Sequence, residues 1–144
     1  MTLAPSDMLC HALYSAQHAM QAAYKPLLDP LGLTYPQYLV LAALWAEDGQ
    51  TVGRLGAALG LETNTLTPLL KRIEAAGLLA RQRDRNDERQ VRILLTDAGR
   101  ALAERAGPVQ HGFFQATGLT LAEAAALRDQ LNALHDRLRA PSQP

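Results

Sequence analysis

Gly60 divides two short runs of helical periodicity, and this division constrains the fold more than any other feature of the sequence. The first run, TVGRLGAAL at residues 51–59, stops at Gly60, because glycine readily adopts the left-handed conformation that ends a helix. The second run places its apolar residues on one helical face, at the spacing i, i+3, i+4 and i+7: Leu66, Leu69, Leu70 and Ile73. We therefore predict two short helices joined by a tight turn.

A polar hairpin and four longer helices complete the predicted order of elements. The extended runs LLARQRD and RQVRILLT lie on either side of the polar RNDE, which predicts a β-hairpin. The longer helices are expected to start at polar capping residues: Ser6-Asp7, Thr34, Thr96-Asp97 and Thr120. The order helix, helix, helix, helix, hairpin, helix, helix is the outline of a winged helix-turn-helix. The predicted fold class is therefore mainly α with a small β-hairpin.

Positive charge is concentrated in one short segment, although the net charge of the chain is zero. Seven of the 14 Lys and Arg residues lie within residues 71–92, which contain only four acids. Residues 1–53, in contrast, carry one base and four acids. A local excess of cations favours binding to a polyanion, whereas a solvated charged loop is the alternative interpretation.

The polar side chains of the second short helix suit contact with DNA. In a winged helix-turn-helix this helix enters the major groove, and its N-terminal residues reach base edges. Short polar side chains there can bond to bases or phosphates, and the cations one turn further on can neutralise phosphates. From the hairpin we add three arginines and Asp87, which we expect to hold Arg89 in a fixed pose. The predicted DNA-binding residues are Thr63, Asn64, Thr65, Thr67, Lys71, Arg72, Arg83, Arg85, Asp87 and Arg89.

With these motifs the chain resembles the MarR-type regulators, over roughly residues 8–139. The resemblance lies in LTPLLKRIEAAGLL, the DRNDERQV wing and LTDAGR, and the run LCHALYSAQHAMQAAYKPLLDPLGLTYPQYLVLAALW resembles the organic-hydroperoxide-sensing, OhrR-type branch. The resemblance implies a single MarR-type chain over residues 1–144. Its dimerisation helices would lie at 6–32 and 97–139, and its DNA-binding region at 34–96. The implied assembly is an intertwined helical homodimer on a pseudo-palindromic double-stranded DNA operator.

The resemblance also implies a redox-sensing site on the first helix. Cys10 matches the reactive cysteine of the branch, and Tyr14 and Tyr24 match the tyrosines that hydrogen-bond its sulfur. Cys10 is the only cysteine in the chain, so the protein resembles the one-cysteine kind. With no resolving thiol in the chain, the oxidised sulfur is expected to react with a small cellular thiol or to oxidise further.

The spacing of these residues on a helix agrees with this assignment. At about 100° per residue, Tyr14 and Tyr24 each lie about 40° from Cys10, on opposite sides, so the three share a face. Tyr24 is about 21 Å from Cys10 along the helix axis, too far to reach it within one chain. It can reach Cys10 of a partner whose helix runs antiparallel across a two-fold axis.

We therefore predict a DNA-binding transcriptional repressor that an organic hydroperoxide releases from its operator by oxidising Cys10. Two alternatives remain open. A non-redox MarR-type repressor would respond to a small phenolic or acidic ligand, with Cys10 as a packing residue. A one-cysteine thiol peroxidase would be an enzyme, but the chain lacks the alternating strand and helix pattern of thioredoxin-like folds, so we expect no enzyme.

Several other classes of protein are not expected from this sequence. The four histidines show no compact ligand spacing, so neither a metal nor another cofactor is predicted. The longest wholly apolar run, residues 39–46, is far shorter than a membrane span, and no secretory signal is evident at the N-terminus. We expect a cytoplasmic protein with no membrane contact.

Overall fold

The fold consists of six α-helices and a small sheet, seen in a computed structural model that describes residues 2–140. The elements in chain order are α1 (Leu9–Leu28), α2 (Tyr35–Ala46), β1 (Gln50–Thr51), α3 (Val52–Leu59), α4 (Thr63–Ala75), β2 (Leu79–Arg83), β3 (Val91–Leu95), α5 (Asp97–Thr117) and α6 (Leu121–Arg139). Short 3-10 turns at Pro5–Asp7 and Asp29–Leu31 flank α1. This order confirms the predicted mainly helical, winged helix-turn-helix architecture.

The sheet has three antiparallel strands in the order β1-β3-β2, one more than the predicted hairpin. Strands β2 and β3 pair from Leu79 opposite Leu95 to Arg83 opposite Val91. The additional strand β1 pairs Gln50 with Ile93 and Thr51 with Arg92. A two-residue strand is too short to show periodicity, so no sequence pattern predicts it. Its pairing fastens the start of α3 to the base of the hairpin.

Most of the predicted helix caps are confirmed. Thr34 and Thr120 form capping boxes with Gln37 and Glu123, and the side chain of Thr96 caps α5. The side chain of Thr51, which was not among the predicted caps, caps α3. Gly60 ends α3 with φ +66°, the left-handed conformation expected of it.

The predicted cap of α1 at Ser6-Asp7 is wrong. These two residues lie in the preceding 3-10 turn, and Met8 occupies the N-cap position without a side-chain hydrogen bond. Pro5 explains the difference, because its fixed φ favours a helical turn that starts at once. That turn closes when the Met8 N–H donates to the Pro5 carbonyl.

One continuous core joins α3 and α4 to the long helices. The apolar face of α4 is buried as predicted, in one cluster with Leu55 of α3 and Ile93 of β3. The same core continues through α2 to Tyr24 and Leu28 at the end of α1, and to Val109 of α5. The position of α1 is therefore transmitted to α2 and α5 by direct packing.

Two surfaces of the chain expose large apolar side chains. Helix α6 buries none of its residues, and Leu121 and Leu138 are 78% and 73% exposed. The first half of α1 is also open, with Leu9 64% exposed. Such exposed apolar surface is typical of protein interfaces. It lies within the segments assigned to dimerisation, which stay a prediction. Among the described residues, no helix is both long enough and apolar enough to cross a membrane.

Two glycines of α5 provide a matched test of this packing. At Gly99 an added Cβ would overlap the carbonyl oxygen of Leu78, whereas the space around Gly107 is open. We expect Gly99→Ala to lower the free energy of unfolding by about 3 kcal/mol through overpacking. Gly107→Ala should raise it by up to about 1 kcal/mol, because alanine favours a helix. Urea unfolding measures both values, and equal effects of the two substitutions would contradict the packing described.

Candidate nucleic-acid interface and thiol site

The face of α4 opposite its buried stripe presents the polar residues that the sequence singled out. Thr63, Asn64 and Thr65 are exposed in the first turn, and Thr67 is half-buried. Glu62 occupies the N-cap position of α4 and makes no side-chain cap hydrogen bond. A helix start of this kind, with its backbone N–H groups directed outward, favours an anionic ligand such as a phosphate.

The cations on and after α4 differ in how they are held. Lys71, Arg72 and Arg85 are exposed, and none of them forms an ion pair with a carboxylate of residues 2–140. Arg83 Nη1, in contrast, donates to the backbone carbonyl of Glu88 at 2.9 Å. Arg83 therefore braces the loop that follows β2, while the other three have no such internal role.

That loop, residues 84–90, is the wing, and Asp87 shapes its outer part. One carboxylate oxygen of Asp87 accepts from the backbone N–H of Arg89 at 3.1 Å and from Arg89 Nε at 3.2 Å. The Arg89 side chain is nevertheless 92% exposed. Asp87 thus restrains the guanidinium where it projects into solvent, as the sequence analysis proposed.

The helix start and the wing face each other across an open concavity of about 420 Å³. Thr63 and Thr67 line it from α4, and Arg89 and Gln90 line it from the wing. Arg81 also contributes, and its Nε lies 3.1 Å from Glu74 Oε1, so β2 is fixed to α4. The fold therefore gathers hydroxyl groups and cations on one concave surface suited to a nucleic-acid backbone.

Cys10 lies in the first turn of α1, and its thiol is free and exposed. Tyr14, one turn further on, is 62% exposed, and its ring lies 4.3 Å from that of His18. The His18 Nδ1 contacts the Tyr14 carbonyl oxygen at 2.9 Å, which holds the imidazole along this face.

Tyr24 lies in a different environment from Cys10 and Tyr14, although the three share a helical face. It is only 8% exposed and stacks on Phe113 at 4.3 Å between ring centroids. Burial, reinforced by the neighbouring Tyr38 and Tyr35, raises the pKa of Tyr24 to about 12. The phenol is therefore protonated at neutral pH and can donate a hydrogen bond.

Tyr35 is the residue of this site that the sequence analysis missed. Its ring centroid lies 5.0 Å from that of Tyr24, and burial raises its pKa as well. Both tyrosines line an open cleft of about 390 Å³, with Leu33 beside them and Lys25 among the polar residues around it. Tyr35 belongs to α2, so no spacing along α1 could have revealed it.

Comparisons with known proteins agree on one family. Residues 22–106 match the family described as "Transcriptional regulator SarA/Rot". The HTH-type transcriptional regulator TtmR of Methylorubrum extorquens (strain PA1) is 52% identical over 134 residues, which cover 93% of this chain and 69% of that protein. The organic hydroperoxide resistance transcriptional regulator of Bacillus subtilis (strain 168) is 42% identical over 135 residues, 91% of this chain and 92% of that one.

A solved structure gives the same result in three dimensions. Reduced AbfR bound to DNA superposes with a TM-score of 0.77 at 35% identity, and the match covers 94% of each chain. AbfR is a protein of Staphylococcus epidermidis. The likeness therefore extends over the long helices as well as the DNA-reading part.

The buried phenols predict a late alkaline transition. Folding raises the pKa of Tyr24 from the ordinary 10.0 to about 12. The contribution of this group to the free energy of unfolding is therefore fully present below pH 10 and is lost as the pH rises from there through 12. Tyr24→Phe should remove the latest step of an ultraviolet tyrosinate titration, and Tyr14→Phe should leave that step in place. A titration in which Tyr24 ionises near pH 10 would contradict the buried aromatic cluster.

Proposed function

Since the chain belongs to the MarR/SarA-type family of winged-helix transcriptional regulators, we propose that it is a repressor released from its operator when an organic hydroperoxide oxidises Cys10. The members compared above are regulators of transcription and not enzymes. The observation that carries the redox part is the placement of a free, exposed thiol at the start of α1 in a chain 42% identical to a hydroperoxide regulator.

The repressor acts as a homodimer formed through α1, α5 and α6. The support for this is the exposed apolar surface of α6 and of the first half of α1, which a single chain leaves uncovered. An antiparallel arrangement of the two α1 helices brings Cys10 of one subunit towards the cleft beside Tyr24 and Tyr35 of the other. Each thiol site then contains residues of both subunits.

The chemistry follows from a thiolate beside neutral phenols. The Cys10 thiolate attacks the terminal oxygen of the hydroperoxide, the O–O bond breaks, and the sulfur becomes a sulfenic acid. The leaving alkoxide takes a proton and departs as an alcohol. Protonated Tyr24 and Tyr35 can donate hydrogen bonds to the thiolate and to the departing oxygen. A small cellular thiol then condenses with the sulfenic acid, which yields a mixed disulfide and water.

The added group on Cys10 lowers operator affinity by displacing helices. Helix α1 packs against α2 and α5, and α2 packs against α3 and α4, so a shift of α1 is passed on to the recognition helix. The two recognition helices of a dimer must fit half-sites about one DNA turn, roughly 34 Å, apart. A small change in their separation is therefore costly.

On DNA, the start of α4 enters the major groove and the wing follows the flanking backbone. Thr63, Asn64, Thr65 and Thr67 reach base edges and phosphates, and Lys71 and Arg72 neutralise phosphates further along. From the wing, Arg85 and Arg89 reach the flanking backbone or minor groove. The support is the concave surface on which α4 and the wing meet.

A second candidate function is regulation by a small phenolic or acidic ligand without redox chemistry. The observation that favours it is the cleft of about 390 Å³ beside Tyr24 and Tyr35, which is also lined by Lys25 and by Asp29, the carboxylate with which Lys25 pairs. Release of the operator by such a ligand after the Cys10 thiol has been blocked would support this candidate. The redox proposal expects the blocked protein to remain bound.

We expect Cys10→Ser to bind operator DNA as tightly as the wild type and to stay bound when cumene hydroperoxide is added. A double variant, Met8→Leu with Met20→Leu, is the matched control, because methionine also oxidises but is not the proposed sensor. It should be released as the wild type is. Fluorescence anisotropy of labelled duplex measures release, and release of Cys10→Ser by peroxide would contradict the mechanism.

A further inference from the structure

We propose that Asp84 and Arg92 are positioning residues that hold the wing in its DNA-binding shape. The inference rests on the proposed contact between the wing and DNA. Neither side chain is among the DNA-binding residues predicted from the sequence. Neither needs to touch DNA in order to affect binding.

Asp84 closes the base of the wing from inside. Its backbone N–H donates to the Gln90 carbonyl at 2.9 Å, which joins the two ends of the loop. Its Oδ1 accepts from the Asn86 N–H at 3.0 Å, and its Oδ2 accepts from Arg92 Nε at 3.1 Å. The Asp84 side chain is only 9% exposed, so solvent weakens these bonds less than those of the exposed Arg89–Asp87 pair.

The carboxyl of Asp84 is held in its ionised form. The hydrogen bond from the Asn86 backbone N–H lowers its pKa, with the Arg92 charge as a smaller contribution in the same direction, while desolvation opposes them. An ionised acceptor makes the stronger kind of hydrogen bond to a guanidinium.

Arg92 connects the wing to the rest of the domain. While its Nε donates to Asp84, its Nη1 donates to the Gly49 carbonyl at 2.7 Å, in the turn before β1. That turn is itself fixed, because Asp48 Oδ1 accepts from the Leu95 N–H at 2.9 Å. One guanidinium therefore donates to both Asp84 and the Gly49 carbonyl. A lysine ammonium, at the end of a flexible chain, lacks the planar fork that makes both bonds at once.

The charge of Asp84 makes the inference sharply testable. Removing an acid from a DNA-facing loop reduces electrostatic repulsion, so charge alone predicts that Asp84→Ala binds DNA at least as tightly as the wild type. The positioning role predicts the opposite sign. Glu88→Ala is the matched control, because it removes one negative charge from the same wing and Glu88 offers only its backbone carbonyl to Arg83.

The experiment measures affinity against salt concentration for full-length dimers, on a synthetic duplex selected from a random pool by the wild type. We expect Asp84→Ala to bind about tenfold more weakly and to lower the slope of log affinity against log salt by about one for each of the two wings, although no cation has been removed. Arg92→Lys, which keeps its charge, should behave like Asp84→Ala. Glu88→Ala should match the wild type or bind slightly more tightly.

Three results would overturn the inference: Asp84→Ala binding as tightly as Glu88→Ala, Arg92→Lys binding like the wild type, or weaker binding with an unchanged salt slope. The last result would indicate general destabilisation, which circular dichroism and thermal unfolding of each variant measure independently. Arg89→Ala separates the two proposals. If Arg89→Ala leaves binding unchanged, the wing contact itself fails, whereas a loss with Arg89→Ala but not with Asp84→Ala contradicts only the positioning role.

Discussion

The burial of one face of α4 determines the rest of the DNA-reading surface. Leu66, Leu70 and Ile73 are almost fully buried, and each removes apolar area worth about 2 kcal/mol from water. Because apolar residues occupy the buried face of the helix, its polar side chains project from the opposite, solvent-facing side. Thr63, Asn64 and the cations after them therefore face outward as a consequence of core packing, and the wing adds its arginines beside them.

The aromatic cluster around Tyr24 gives the long helices a comparable connection. The ring of Tyr24 contacts residues of α2 and α5, so the end of α1 cannot move without disturbing both. The opposite end of α1, which carries Cys10, is exposed in the single chain. Helix α1 thus carries an exposed thiol at one end and a packed aromatic contact with α2 at the other. This arrangement suits a protein in which oxidation changes DNA binding.

The sequence predicted the elements that depend on local rules. Period and capping were sufficient for α4 and for the caps at Thr34, Thr96 and Thr120, because each involves residues within one or two turns. Strand β1 was missed because two residues carry no pattern, and the Ser6-Asp7 cap was wrong because Pro5 starts its own turn. Tyr35 beside Tyr24, and Arg92 beside Asp84, depend on how helices pack and on the register of the hairpin. No spacing within one element encodes those contacts.

In the proposed homodimer the Cys10 sulfur lies between two subunits, next to phenols that a single chain cannot bring to it. A crystal structure of the reduced homodimer tests this most directly. We expect Cys10 Sγ within hydrogen-bonding distance of the phenol oxygen of Tyr24 or Tyr35 of the partner subunit. A reduced dimer in which the sulfur faces bulk solvent, with neither phenol near it, would show that the thiol site is not shared between subunits.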